Sequence, residues 1–200
     1  MRRQDIFSKI AAFYYSQEFL DAIRVTIDPM QEIKILDAAC GTGALYNICM
    51  PCSYYGLDID EDRVSDCIQH FPKGSFSVAN ASNTKFSDAF FDIILASGLF
   101  HHVDDQLAHD ILEEFRRILK NSGKIIIVDA IWPRNRFNLV GWVGRKMDQG
   151  DFVRHSKQYL DIFNKHFNVT NNTFYTRLGF DYIITELRNR NAQNLENQQR

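Results

Sequence analysis

Short apolar runs alternate with amphipathic stretches through the middle of this 200-residue chain. Runs typical of buried strands lie near 33–37, 53–57, 75–79, 91–96 and 124–129. Apolar residues at helical spacing predict helices near 43–49, 61–70 and 106–119. Because strands and helices alternate, the pattern predicts an α/β fold with a parallel sheet and helices on both of its faces.

The regions on either side of this alternating core differ from it in composition. The N-terminal region has apolar positions at helical spacing, whereas the region after the fifth strand mixes aromatic and basic side chains. Two β-rich runs separated by Gly179 then predict a hairpin. We therefore predict one domain over residues 1–188. Its parts are a helical cap (1–30), a core (31–130), a lid over the binding site (131–166) and a terminal hairpin (167–188), and a polar tail follows (189–200).

Composition and charge argue against several classes of protein. With 23 Lys and Arg against 25 Asp and Glu, the formal net charge is −2, so no basic field favours nucleic acid as a partner. No apolar run reaches the roughly 18 residues that a membrane span needs, and no signal-peptide core follows Met1. We therefore expect a cytoplasmic protein, for which peripheral membrane contact and the oligomeric state stay open. The four cysteines lack the spacing of a zinc site or a disulfide framework, and we predict reduced, buried thiols.

One glycine-rich turn carries most of the candidate chemistry. The strand at 33–37 ends in Asp37 and leads into a turn that contains Gly41 and Gly43. Such a turn before a helix lets a nucleotide-like ligand approach the backbone closely. Dinucleotide-binding turns need Gly or Ala three residues after the second glycine, where this chain has Tyr46, and Asp37 would repel a pyrophosphate. The turn therefore favours a ligand with an ammonium group and no phosphate, such as S-adenosylmethionine.

The run from Leu36 to Gly43 resembles the first motif of class I S-adenosylmethionine-dependent methyltransferases. The stretches that resemble the later motifs follow in the family's order at Gly56–Asp60, Phe76–Ala81, Phe91–Ser97 and Leu119–Asp129. The chain departs from the family at Asn80, where Asp is usual, and at Asn121-Ser122, where Pro-Gly is common. The resemblance covers residues 33 to 130 and is nearest to the small-molecule branch that contains ubiquinone- and menaquinone-biosynthesis enzymes. It implies a Rossmann-like, doubly wound, mostly parallel seven-stranded sheet with an antiparallel last strand and N-terminal cap helices.

The resemblance also implies S-adenosylmethionine as the cofactor, with S-adenosylhomocysteine as its product. Asp37 would face the methionine ammonium, and Asp58 would accept both ribose hydroxyls with its two oxygens. Asp58 could instead cap the helix at 61–70, although Asp60 could also do that. The implied cofactor contacts are Asp37, Ala39, Gly41, Thr42, Gly43, Asp58, Ile59, Asn80, Ala81 and Ser97.

His101 and His102 follow the fourth strand, at the sheet edge where open α/β sheets bind ligands. Either imidazole could act as a general base, or both could be structural residues of the loop. Asp104-Asp105 is interpreted as a helix cap rather than as a pair of metal ligands, and no metal is predicted. The implied acceptor contacts are Tyr14, Tyr15, Phe100, Trp132, Arg136 and Arg154.

These residues predict in-line, metal-independent methyl transfer to a small-molecule acceptor. Aromatic and Arg side chains in the lid favour an acceptor with an apolar body that also carries an acidic group. Two other functions stay open. One is a catalytically silent S-adenosylmethionine-binding subunit that partners an active enzyme, and the other, disfavoured by Tyr46, is an NAD-dependent oxidoreductase.

Overall fold

The computed structural model describes residues 20–21, 32–147 and 150–190, and its strands form one sheet with helices on both faces. The strands are β1 (Lys34–Ala38), β2 (Ser53–Asp58), β3 (Ser75–Val78), β4 (Phe91–Ser97), β5 (Leu119–Ala130), β6 (Asn168–Arg177) and β7 (Phe180–Arg188). The helices among them are α1 (Tyr46–Cys49), α2 (Glu61–His70), α3 (Asp105–Ile118), α4 (Leu139–Lys146) and α5 (Ser156–His166), with a 3-10 helix at Phe100–His102. None of the helices in the described ranges is long and apolar enough to cross a lipid bilayer.

The order of the strands reverses direction between β1 and β4. The order is β3-β2-β1-β4-β5-β7-β6, with β1 to β5 parallel and β7 antiparallel to both of its neighbours. The chain extends the sheet in one direction from β1 and in the other from β4, so ligands are expected beyond the carboxyl ends of these two strands. The predicted mostly parallel sheet with an antiparallel last strand is confirmed. The predicted cap at 1–30 lies outside the described residues, except for helical Leu20 and Asp21.

Both faces of the central strands β1 and β4 are buried, and alternate residues of each strand point to opposite sides of the sheet. Ile35 of β1 and Leu95 of β4 belong to the apolar cluster that includes α1 and α2, whereas Leu36 and Ile94 belong to the one that includes α3 and α5. Continuously apolar strands are typical of parallel sheets that are covered on both sides. All four cysteines are free and buried, which confirms the prediction of packed thiols.

Two predicted boundaries were wrong. Helix α1 begins at Tyr46 rather than at residue 43, because Gly43 has a φ of +73° that a right-handed helix cannot contain. Strand β5 begins at Leu119 rather than near residue 124, because Leu119 already pairs with Phe91 before the register shifts. The polar residues at this shift form a bulge, which the hydrophobic pattern presents as a turn.

Candidate active site

Asp37 is a buried carboxyl group near the end of β1, with only 1% of its surface exposed. The Tyr54 hydroxyl donates to Oδ2 at 2.5 Å, whereas no described residue hydrogen bonds to the buried Oδ1. Burial raises the pKa of Asp37 to about 7, against the opposing hydrogen bond from Tyr54 and with a smaller contribution from the charge of Asp58. A buried oxygen without a partner is unfavourable by roughly 1–3 kcal/mol. Oδ1 is therefore suited to a cationic donor on a ligand.

An aromatic cluster that includes Tyr46 lies beside this carboxyl group. Tyr46 is the residue at which the chain departs from the dinucleotide-binding pattern. The ring of Tyr46 lies 5.2 Å from Tyr54 and 4.5 Å from Phe71, measured between ring centroids. Tyr46 therefore fills the space beside β2. In dinucleotide-binding folds, a small residue at this position lets the helix pack closely against the strand. Gly43 is required at the same place, because a Cβ there would lie 2.6 Å from the Phe71 ring.

Asp58 joins the end of β2 to the glycine turn. Its Oδ2 accepts the Gly41 N–H at 2.8 Å, and its Oδ1 accepts the Asp60 N–H at 3.0 Å. Asp60 caps α2, since its Oδ1 accepts the backbone N–H groups of Asp62 and Arg63. The alternative in which Asp58 is the helix cap was therefore wrong. Each oxygen of Asp58 has a second lone pair, so the carboxylate can still accept two ribose hydroxyls.

The other implied cofactor contacts surround this carboxylate on the same edge of the sheet. Apart from the two chain neighbours of Gly41, no described residue has an atom within 4 Å of a Cβ built there, so the turn is open on this side. Ile59 is 75% exposed. The Ala79 N–H donates to the Asp58 carbonyl at 3.0 Å and brings the turn after β3 alongside. In that turn, the side-chain oxygen of Asn80 is occupied by the Ser82 N–H and hydroxyl. Of the remaining residues, Thr42 is exposed, Ala39 and Ser97 are half-buried, and Ala81 is buried.

A second group of side chains lies where β4 and β5 end. Asp129 is buried, and its Oδ1 lies 2.6 Å from His101 Nδ1 while its Oδ2 accepts the Phe100 N–H at 2.7 Å. Because a carboxylate only accepts, Nδ1 of His101 is assigned as the protonated nitrogen. His102 is exposed, and its ring centroid lies 4.0 Å from that of His101. The contact with Asp129 thus distinguishes His101 from its neighbour.

Sequence reasoning missed Asp129 as a functional residue. It lies 28 positions from His101, and only the parallel pairing of β4 with β5 brings the two together. An acidic residue near the end of the strand that follows the histidine pair was the available signal.

Two residues predicted to contact the acceptor have structural positions instead. The Arg154 guanidinium is buried and donates to the carbonyls of Phe100 at 2.6 Å and Val103 at 2.8 Å, and to Asp105 at 2.7 Å. It holds the loop that carries the histidines. The side chain of Phe100 is fully buried and packs against Phe163, with 5.3 Å between ring centroids. These contacts do not fit the predicted acceptor roles.

The remaining lid residues lie around a pair of tryptophans. Trp132 stacks on Trp142 with 5.2 Å between ring centroids. The segment 150–155 connects this pair to His101: the Phe152 N–H donates to the His101 carbonyl at 3.0 Å, and the Trp132 N–H donates to the Arg154 carbonyl at 3.1 Å. Arg136 is exposed, with its guanidinium 4.7 Å from the Phe137 ring. The predicted contacts Tyr14 and Tyr15 lie outside the described residues.

The glycine turn and both carboxylates lie within the part of the chain that matches a known protein family. A family model described as a methyltransferase domain matches residues 36–127, which span β1 to β5. These residues therefore form a methyltransferase domain, and the similarity to known proteins supports a class I S-adenosylmethionine-dependent methyltransferase. This methyltransferase is 26% identical over 172 residues to demethylmenaquinone methyltransferase of Thermotoga maritima, with 79% of this chain and 73% of that protein covered.

Solved structures share the fold of this methyltransferase. A putative methyltransferase from Bacillus halodurans superposes with a TM-score of 0.69 at 16% identity, over 84% of this chain and 97% of that one. A geranyl diphosphate methyltransferase in complex with S-adenosylmethionine superposes with a TM-score of 0.68 at 15% identity, over 86% of this chain and 83% of that one. The sheet order and the antiparallel β7 are therefore those of a methyltransferase fold.

Proposed function

We propose that this methyltransferase transfers the methyl group of S-adenosylmethionine to a small acceptor with an apolar body, in line and without a metal. The observation that carries the proposal is the His101–Asp129 contact at the carboxyl edge of β4 and β5, connected through segment 150–155 to the stacked Trp132 and Trp142. A base and an aromatic surface are what such a transfer needs beside the cofactor.

The residues around β1 and β2 fit S-adenosylmethionine. The unpartnered Oδ1 of Asp37 suits the ammonium group, and the open side of Gly41 admits a ligand against the backbone. Asp58 would hold the ribose diol, exposed Ile59 would lie against the adenine, and Asn80 would border its edge. When bound, the cofactor supplies an electrophilic methyl group on its sulfonium.

His101 is the base in this proposal, and Asp129 positions it. Because Nδ1 is directed to Asp129, the proton of the acceptor nucleophile would be taken by Nε2. The imidazolium that then forms would lie beside the carboxylate of Asp129, which stabilises it. Arg154 keeps the loop in place through the carbonyls of Phe100 and Val103. Holding the two reactants in line contributes roughly 7–11 kcal/mol to such reactions, more than a base alone supplies.

A quinone-like ring is the acceptor class to test first. The Trp132–Trp142 stack gives a flat aromatic surface suited to a planar apolar ring. The relative named demethylmenaquinone methyltransferase supports the same class. An acidic substituent on the acceptor would find Arg136 in the same segment.

The test uses methyl-labelled S-adenosylmethionine with a reduced naphthoquinone that lacks the ring methyl group, in the presence of a metal chelator. We expect label in the organic phase from the parent, about 10²–10⁴-fold less from His101→Gln, and nearly unchanged transfer from the matched control His102→Gln. Calorimetry with S-adenosylhomocysteine should show equal cofactor affinity in all three proteins. Equal transfer rates for the parent and His101→Gln would refute the assignment of the base. Transfer that occurs only into protein or nucleic acid would refute the acceptor class.

A further inference from the structure

Helix α4 presents apolar side chains to solvent. Phe137, Leu139, Val140, Val143 and Met147, on or next to this helix, are between 59% and 79% exposed, and we call them the α4 apolar face. Leu178 extends it at the β6–β7 turn, since Gly179 lies against Val140. Six of the eleven exposed large apolar residues in the described ranges thus belong to one patch. Contiguous apolar patches of this kind mark interaction sites.

Helix α4 buries a charged side chain and exposes apolar ones, which is the reverse of an ordinary surface helix. Its buried residues are Gly141 and Arg145, whereas Leu139, Val140 and Val143 face outward. The Arg145 guanidinium donates to the Asp181 carbonyl at 2.8 Å. A surface helix normally buries its apolar side and exposes its charges. Since the contacts of Arg145 fix the helix in this orientation, its apolar face stays exposed to solvent.

Contacts on the inner side leave α4 little freedom to rotate. The Arg145 guanidinium lies 5.0 Å from the Phe180 ring and 4.8 Å from the Tyr182 ring. Gly144 lies directly against Phe180, where any Cβ would collide with the ring. The Asn138 side chain anchors the start of the helix, since its amide donates to the Gly179 carbonyl at 2.7 Å and its oxygen accepts the Gly141 N–H at 2.9 Å. The helix cannot bury its apolar face by rotating without breaking all of these contacts.

The charges around the patch identify the partner. Residues 131–147 contain four cations, Arg134, Arg136, Arg145 and Lys146, and no Asp or Glu, and the next acidic residues in the sequence are Asp148 and Asp151. Arg134, Arg136 and Lys146 are exposed, and Lys146 lies on α4 itself. An apolar helix face with a cationic rim is complementary to an anionic bilayer surface. A second copy of this chain, paired through the same patch, would bring like charges together.

We propose that the α4 apolar face docks this methyltransferase on an anionic lipid surface. The apolar side chains enter the headgroup boundary, and Arg134 and Lys146 lie against lipid phosphates. Trp142 belongs to the same helix and stacks on Trp132, so docking would bring the proposed acceptor site to the membrane. Delivery of an apolar acceptor from the bilayer rests on the proposed function, whereas docking itself does not.

The experiment is flotation of the full chain with vesicles of phosphatidylcholine alone or mixed with phosphatidylglycerol. We expect binding to the mixed vesicles and weak binding to phosphatidylcholine. The double variant Leu139→Asp/Val143→Asp should bind the mixed vesicles at least tenfold more weakly. Ile68→Asp is the matched control, because Ile68 is an exposed residue of α2 outside the patch, and it should bind like the parent.

A second variant tests the charges without touching the apolar face. Arg134→Gln/Lys146→Gln should lower binding to the mixed vesicles about tenfold or more, since each cation near an anionic surface contributes about fivefold. Equal affinity for S-adenosylhomocysteine in calorimetry shows that the variants are folded. A parent that does not float with the mixed vesicles, or a Leu139→Asp/Val143→Asp variant that floats like the parent, overturns the proposal. A parent dimer that this variant dissociates, without vesicle binding, overturns it in favour of a second copy. Label transfer to the naphthoquinol in detergent is independent of all these outcomes.

Discussion

If Asp37 pairs with the cofactor as proposed, cofactor affinity should depend on pH in a range that is easily measured. Its pKa is raised to about 7 by burial, and only the ionised form can pair with the ammonium group of the cofactor. The ionised fraction is roughly 0.09 at about pH 6 and roughly 0.76 at about pH 7.5. Affinity should therefore rise about eightfold between these pH values, a range that stays below the α-amino pKa of about 8. Asp37→Asn should bind more weakly and lose this dependence.

The stability of the free protein should respond in the opposite direction. Because the folded-state pKa of Asp37 lies above its ordinary value of 3.8, the native state binds more protons between these values. Stability therefore falls as pH rises from about 4 to about 7, by up to about 4 kcal/mol from this group. Asp37→Asn keeps an oxygen that can accept the Tyr54 hydroxyl and removes this penalty. Near neutral pH the variant should be more stable than the parent while binding the cofactor less well.

Calorimetry with S-adenosylhomocysteine at about pH 6 and pH 7.5 measures the first effect, and urea unfolding of the same two proteins measures the second. A structural role alone would make Asp37→Asn lose stability and affinity together. An affinity of the parent that does not change across this range would refute the pairing of Asp37 with the ammonium group. An Asp37→Asn variant that keeps the full pH dependence of affinity would refute the same pairing.

Three further predictions concern neighbouring parts of the site. Asp58→Ala should lower affinity for S-adenosylhomocysteine tenfold to a hundredfold in calorimetry, because it removes the proposed acceptor of the ribose hydroxyls and the acceptor of the Gly41 N–H. Unchanged affinity would contradict the ribose assignment. Gly43→Ala should lower the free energy of unfolding by about 1–3 kcal/mol, because the added Cβ would collide with the Phe71 ring and because residue 43 has a positive φ. An unchanged urea midpoint would contradict this prediction. Asp129→Asn should lower the rate of methyl transfer about 10²-fold or more and leave cofactor affinity unchanged, because it removes the carboxylate that contacts His101. A variant with the turnover and the pH profile of the parent would contradict this prediction.

Much of the fold could be predicted because its signals are local. The apolar runs of β1 and β4 and the glycine turn each fix a strand or a turn within a few residues, and the order of the motifs gave the rest of the sheet. The start of β5 could not be predicted in this way. Its polar bulge is held by pairing with β4, which the local pattern does not contain.

The parts of the candidate site that lie within one short segment of the chain could be predicted. The contacts between segments that are distant in the sequence could not. Asp37, Gly41 and Gly43 are close in the chain, whereas the His101–Asp129 contact depends on the pairing of β4 with β5. Helix α4 shows the same limit. The sequence analysis predicted only a lid of mixed aromatic and basic residues here, and that pattern does not reveal that Arg145 faces inward while the apolar side chains face outward. Burial, which also raises the pKa of Asp37, is a property of the assembled fold.

A crystal structure with bound S-adenosylhomocysteine tests the central claim most directly. We predict that the ligand's amino group lies within about 3 Å of Asp37 Oδ1 and that both ribose hydroxyls contact Asp58. Its sulfur should face an acceptor space bounded by His101 and by the Trp132–Trp142 stack. A ligand whose ribose lies away from Asp58, or whose sulfur faces away from His101, would contradict the account.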